Sequence, residues 1–130
     1  MNITTLRFFN VFGPRQDIHR KSPPLINYIV REIKNGRPLT FYSNGNHPRD
    51  YIHVEDIAHA HILAIDAELP SGTYNLGTST GSSNQEIINS AERITGLKLQ
   101  VKIGPQRDGD PEILTASADK FSSLTNWKQQ

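Results

Sequence analysis

The chain has 130 residues, of which 35% are hydrophobic and 21% charged, the proportions of an ordinary soluble protein, so one domain accounts for its length. Its formal charge of +1 arises from 14 basic and 13 acidic residues without a basic block, which excludes the electrostatic footprint of a nucleic-acid or membrane-surface binder and leaves room only for a local anion site. Cysteine is absent, ruling out disulfides, thiolate nucleophiles and cysteine-ligated zinc; with no apolar run near the roughly 20 residues that span a bilayer and no secretory signal, the expected location is cytoplasmic.

In chain order, the β-branched and aromatic run Ile3 to Phe9 predicts a largely buried strand that Gly13-Pro14 stops, with a loop to Pro24. Leu25, Ile26, Ile29, Val30 and Ile33 repeat at helical spacing, and Asn35-Gly36 supplies a C-terminal stop. Leu39 to Tyr42 predicts a short strand, and Ser43 to Pro48 is turn chemistry. Arg49 and Asp50 then lead into a short extended run from Tyr51 to Val54, after which Glu55 and Asp56 suit the positive end of a helix reaching Glu68. Ile57, Ala58, His61, Ile62 and Ile65 are expected along its buried side. Thr73 to Leu76 predicts a buried strand.

Ser83 and Glu86 have capping-box spacing, Ile87, Ile88, Ala91 and Ile94 form an apolar stripe, and Gly96 stands at the helix stop. Leu97 to Ile103 alternates as a half-exposed strand would. After the polar loop Gly104 to Pro111, Ser117 is expected to cap a short helix with Ala118, Phe121 and Leu124 on one side, before Trp127 and a polar end. Alternating strands and helices predict an α/β fold, but two or three parallel strands would leave long edges and apolar faces uncovered, so part of the sheet is expected to lie elsewhere.

Five blocks occur in one order: Leu6-Arg7-Phe8-Phe9-Asn10-Val11-Phe12-Gly13-Pro14-Arg15, Gly36-Arg37-Pro38-Leu39-Thr40-Phe41-Tyr42, Arg49 to Asp56, Tyr74-Asn75-Leu76-Gly77, and Arg107-Asp108-Gly109-Asp110-Pro111. This order resembles the C-terminal portion of nucleotide-sugar epimerases and dehydratases of the extended short-chain dehydrogenase/reductase family. Asp110-Pro111 followed by Leu114 and Ala116 is most similar to the UDP-glucose 4-epimerases of that family. The resemblance implies an incomplete α/β fold. Residues 1–12 and 50–83 would be the remnant of a Rossmann-type parallel sheet and its helix, and 13–49 with 84–130 the small subdomain that binds the nucleotide sugar.

Family enzymes hold the NAD pyrophosphate on a Gly-rich turn between strand and helix, and move a proton with a Tyr-x-x-x-Lys pair while NAD takes the hydride. Neither pattern occurs here: no G-x-x-G-x-x-G is found, and none of Tyr28, Tyr42, Tyr51 or Tyr74 has a Lys four residues on. The expectation is a portion with no catalytic residue, belonging to an enzyme that uses NAD when complete, with no cofactor bound by this chain alone. By resemblance Arg49 would bind the diphosphate through paired charge-assisted hydrogen bonds; read from the residues alone, it would pair with Asp50 or Glu55. Arg107 and Asp110 would form a second clamp, Arg on phosphate and carboxylate on ribose hydroxyls. Asn10 would meet the sugar or phosphate end, Tyr42 would stack on the uracil, and Phe8 would lie beside the nicotinamide, where the alternatives are a turn cap for Asn10 and packing for the two aromatics. Ser43 departs from the Gly usual in the family.

Two further patterns lead away from this reading. Gly77-Thr78-Ser79-Thr80-Gly81 matches G-x-S-x-G, but every histidine precedes Ser79, against the chain order of a hydrolase triad. His59 and His61 are two apart, which on a helix separates them, so no metal is expected and His61 is read as a packed helix residue. The expected partner is a nucleotide-diphosphate sugar, joined by the missing N-terminal half or another protein chain. The alternatives are a free-standing sugar-nucleotide-binding or interaction module, and a portion of a nucleotide-sugar 4,6-dehydratase.

Overall fold

The computed structural model describes residues 1–42, 47–105 and 108–130. Its elements are β1 (Thr4–Phe8), β2 (Asn10–Phe12), α1 (Leu25–Lys34), β3 (Leu39–Tyr42), β4 (Tyr51–His53), α2 (Val54–Asp66), β5 (Gly72–Leu76), α3 (Asn84–Thr95), β6 (Val101–Gly104) and α4 (Asp119–Thr125). All three strand pairs, β1 with β5, β2 with β4 and β3 with β6, are parallel. Parallel partners need long crossovers, and each of these contains at least one helix. The α/β class expected from the alternation is therefore the class observed.

The chain divides into two compact units, one of Met1–Pro14, Asp50–Gly81 and Thr115–Gln130, the other of Arg15–Arg49 and Ser82–Leu114. In the first, Ile52, Ile57, Ala60, Leu69, Tyr74, Leu76, Ala118, Phe121 and Trp127 form one buried cluster. Residues 115–130, grouped with 84–114 in the sequence reading, fall in this unit, where Trp127 is the anchor. Its ring meets Phe121 edge-on at 5.8 Å, and its Nε1 donates to the Asp56 carbonyl at 3.1 Å, so both its apolar body and its polar tip are satisfied. Ser117 does not cap α4: its Oγ accepts the Asp119 amide in a turn, while Ala118 holds the cap position and Leu124 faces solvent.

Three further expectations for this unit change. The strand read over Ile3 to Phe9 continues past Phe9 as a separate strand, β2, because Asn10–Phe12 aligns with Tyr51–His53. β1 is not largely buried: among the described residues it pairs with β5 alone, and Phe8 is exposed. α2 buries Asp56, Ile57 and Ala60, with Leu63 and Ala64 packed beside them, and leaves Ile62 and Ile65 58% and 76% exposed. A helix apolar on two sides offers two faces, and periodicity alone does not choose between them.

In the second unit α1 and α3 cover β3, with Ile29, Leu39, Phe41 and Ile88 at the centre of the cluster. Alternation along β3 sends Leu39 and Phe41 inward, and Thr40 and Tyr42 outward. The capping box of α3 is formed as its spacing predicts: Ser83 Oγ accepts the Glu86 amide, the Glu86 carboxylate accepts the Ser83 amide, and Gly96 ends the helix at φ 70°. Ile94, expected on the buried stripe, is exposed, and β6 is shorter than the alternating run that announced it.

Candidate functional site

Arg49 sits on a backbone clamped from two sides. It exchanges amide and carbonyl hydrogen bonds with Ser82, both at 3.0 Å, and the preceding carbonyl of Pro48 accepts the Leu114 amide. The side chain, only 14% exposed, donates from Nη2 to Asp110 Oδ1 at 2.7 Å and from Nη1 to the carbonyls of Pro48 and Glu112 at 3.0 and 3.4 Å. Neither Asp50 nor Glu55 is its ion-pair partner among the described residues; that partner is Asp110, 61 positions along the chain. Asp110 in turn has its Oδ2 at 3.9 Å from Nδ1 of His47. A guanidinium and a carboxylate held together at a rigid backbone point can offer donors to a phosphate and acceptors to a diol.

Asp50, the next residue, belongs to the first unit and is fully buried. Its Oδ1 accepts the amide and hydroxyl of Thr78, both at 2.8 Å, and its Oδ2 accepts the Ala116 amide at 3.0 Å. The Asp50 carbonyl accepts both the backbone amide and the side-chain Nδ2 of Asn10 at 3.0 Å, so the Asn10 amide is aimed by the backbone of Asp50. A Cβ on Gly77 would stand 2.6 Å from Asp50 Oδ2 and 2.8 Å from the Ala116 carbonyl, which is why the chain has glycine there. Asp50 was missed by sequence reasoning because its neighbours are an arginine and a turn. The usable signal was parity, since Asp50 and the buried Ile52 share a side of the extended run.

Tyr42 lies on the outward side of β3, 43% exposed, opposite Gly104 in the β3/β6 pair. A Cβ on Gly104 would come within 3.2 Å of the Tyr42 ring, so the glycine lets that ring lie close over the β6 backbone. Phe8 ends β1 with 47% exposure, tilted against His61 at 6.4 Å between ring centres. Of the expected site residues, Arg49 and Asp110 are in contact and Tyr42 belongs to the same unit, whereas Asn10 and Phe8 belong to the other. Arg107 and Ser43 lie outside the described residues.

Ser79 does adopt the positive φ, 60°, of a strained turn, but its Oγ and amide both donate to the Ala116 carbonyl, and no histidine is bonded to it among the described residues. His61 is exposed and not packed in the core; its Nδ1 bonds the Ile57 carbonyl at 2.7 Å. No group of three metal-ligating side chains comes together among the described residues, and no described helix is long and apolar enough to cross a membrane.

Comparison with known proteins finds relatives that match nearly the whole chain. The chain is 36% identical over 145 residues to a UDP-glucose 4-epimerase of Lacticaseibacillus casei, which covers 98% of this chain and 43% of that protein. Among solved structures it is similar to the UDP-N-acetylglucosamine 4-epimerase of Methanobrevibacter ruminantium in complex with UDP-N-acetylmuramic acid. The TM-score is 0.93 with 26% identity, over 100% of this chain and 41% of that one. It is also similar to the UDP-glucose-4-epimerase of Stenotrophomonas maltophila with bound NAD and formylated UDP-arabinopyranose, with a TM-score of 0.88 and 32% identity over 100% of this chain and 44% of that one. The chain thus spans about two fifths of the length of the relatives it matches. Residues 1–77 match the family described as NAD dependent epimerase/dehydratase, and the chain belongs to that family.

Proposed function

We propose that this chain is the nucleotide-sugar-binding portion of an NAD-dependent UDP-sugar epimerase. The observation that carries the reading is the Arg49–Asp110 pair: a mostly buried guanidinium, fixed by backbone bridges, beside a partly exposed carboxylate. Arg49 binds the diphosphate, with Arg107 as a second cation, and Asp110 accepts from ribose hydroxyls. Tyr42 presents its ring to the base, and Asn10 reaches the sugar or phosphate end. Solved relatives that bind UDP-sugars support this ligand class.

NAD, bound in the complete enzyme, supplies the acceptor for hydride from the sugar. The chain itself carries neither a Gly-rich dinucleotide turn nor a Tyr-x-x-x-Lys pair, so on this reading it holds substrate and does not turn it over. Phe8, Ile62 and Ile65, all exposed on the first unit, then face the remainder of such an enzyme, in the same or another chain.

Calorimetry with UDP-glucose tests the binding role. Micromolar affinity that falls by more than about tenfold in Arg49→Ala is expected for a lost charge-assisted contact. Robust epimerase activity of the purified 130-residue chain would overturn the division of labour.

A further inference from the structure

Asp110 stands between two cationic or potentially cationic groups, and the two contacts are unequal. Oδ1 is at full hydrogen-bond distance from Arg49 Nη2, 2.7 Å, while Oδ2 is 3.9 Å from His47 Nδ1. The His47 ring is largely buried and its Nδ1 has no hydrogen-bond partner among the described residues, although it points at a carboxylate. A buried polar atom left short of a partner is costly and calls for an explanation. Asp110, by contrast, keeps 38% of its side chain exposed and has room to move. Nη2 of Arg49 is occupied by this carboxylate, so a phosphate that takes Nη2 displaces Asp110 Oδ1 from it.

We infer that His47 is a positioning residue of the diphosphate site: it receives the Asp110 carboxylate when the ligand's phosphate takes over Arg49. This rests on the nucleotide-sugar reading and adds a residue and a proton to it. A shift of about 1 Å closes the His47–Asp110 gap to hydrogen-bond length. The exchange is strongest when the imidazole is protonated, since the relocated carboxylate then meets a full positive charge. Among the described residues the charged groups that His47 and its partner meet are Asp110 and, through it, Arg49; Glu112 contributes its backbone carbonyl, to Arg49.

Ligand binding therefore draws a proton onto His47. Affinity accordingly falls as pH rises through the imidazole range. The diphosphate of UDP-glucose is esterified at both ends and does not change charge in the range where imidazole titrates, so the effect belongs to the protein.

The test is calorimetry of the 130-residue chain with UDP-glucose between about pH 5.5 and pH 8, the imidazole range. Affinity is expected to rise roughly three- to tenfold toward the acid end, corresponding to a shift of up to about one unit in the imidazole titration on binding. His47→Gln, whose amide donates but does not titrate, is expected to flatten the profile, as is Asp110→Asn. NMR titration of the His47 ring with and without UDP-glucose gives the same answer without a substitution: its midpoint rises on binding. A profile unchanged in His47→Gln, or a ring midpoint unmoved by ligand, overturns the inference while Arg49-dependent binding stands. Absence of UDP-glucose binding by a folded chain at every pH overturns the binding reading and this one with it.

Discussion

Asp50 accepts three hydrogen bonds on a carboxylate with no solvent exposure, and through them joins the turn after β5 to the segment before α4. Removing the carboxylate strands the Thr78 and Ala116 amides, while the Thr78 hydroxyl keeps the Thr80 carbonyl, so Asp50→Ala is expected to lower stability by about 3 kcal/mol in urea unfolding, the scale for losing hydrogen bonds to a buried charged group. Gly77 depends on the same carboxylate. An added methyl meets Asp50 Oδ2 and the Ala116 backbone at less than 3 Å, and backbone does not yield as a flexible side chain would. Gly77→Ala is expected to cost about 1–3 kcal/mol, measured in the same way. Both residues lie in stretches whose family resemblance was evident, yet the resemblance pointed to Arg49 and left the buried carboxylate beside it without a role.

At the scale of elements, α3 carries its own punctuation and formed as its sequence announced. Ser83→Ala removes the cap oxygen from the Glu86 amide and is expected to cost about 1 kcal/mol by chemical denaturation. α1 holds a feature that periodicity did not signal: Glu32, buried on the helix, accepts Arg37 Nε at 2.6 Å and Arg31 Nε at 2.8 Å. The hydrogen bond from Arg37, aided by that from Arg31, holds the Glu32 carboxyl below its ordinary value against the opposing effect of burial. A carboxyl lowered in the folded state contributes stability above its unfolded value, about 4.3, and loses it as pH falls through the folded value. Glu32→Gln is therefore expected to lower the melting temperature at neutral pH and to weaken its decline below about pH 4. A variant with the wild-type acid profile would remove Glu32 from this role. α2 went the other way, because its second apolar side looked as fit for burial as the first.

At the scale of the whole chain, the units meet along the sequence between Arg49 and Asp50, so adjacent residues of one motif serve different units. Arg49 belongs with Asp110 and the Ser82 bridge, Asp50 with Thr78, Ala116 and Asn10. Among the described residues β1 pairs with β5 alone and one side of α2 is exposed, and the matched relatives are more than twice as long; on the function proposed above, the sheet continues elsewhere. Ile65→Lys is expected to change the stability of this chain by less than about 0.5 kcal/mol, as at an ordinary surface position. It is also expected to weaken association with a separately produced upstream half of such an enzyme, read by co-purification. A large loss of stability in the isolated chain would mean that Ile65 already has a packing partner within it.

Local chemistry was legible from the residues: a capping box and a terminal glycine set the limits of α3, helical periodicity gave α1, alternation gave β3, and co-ordered blocks gave the family. These signals are carried within a few positions or by whole motifs. The partner of Arg49, the burial of Asp50 and the side of α2 that meets the core are settled by residues tens of positions away. Asp110, Ala116 and Trp127 reach those places through the parallel crossovers, and a linear pattern carries no record of which of two plausible neighbours the fold brings there.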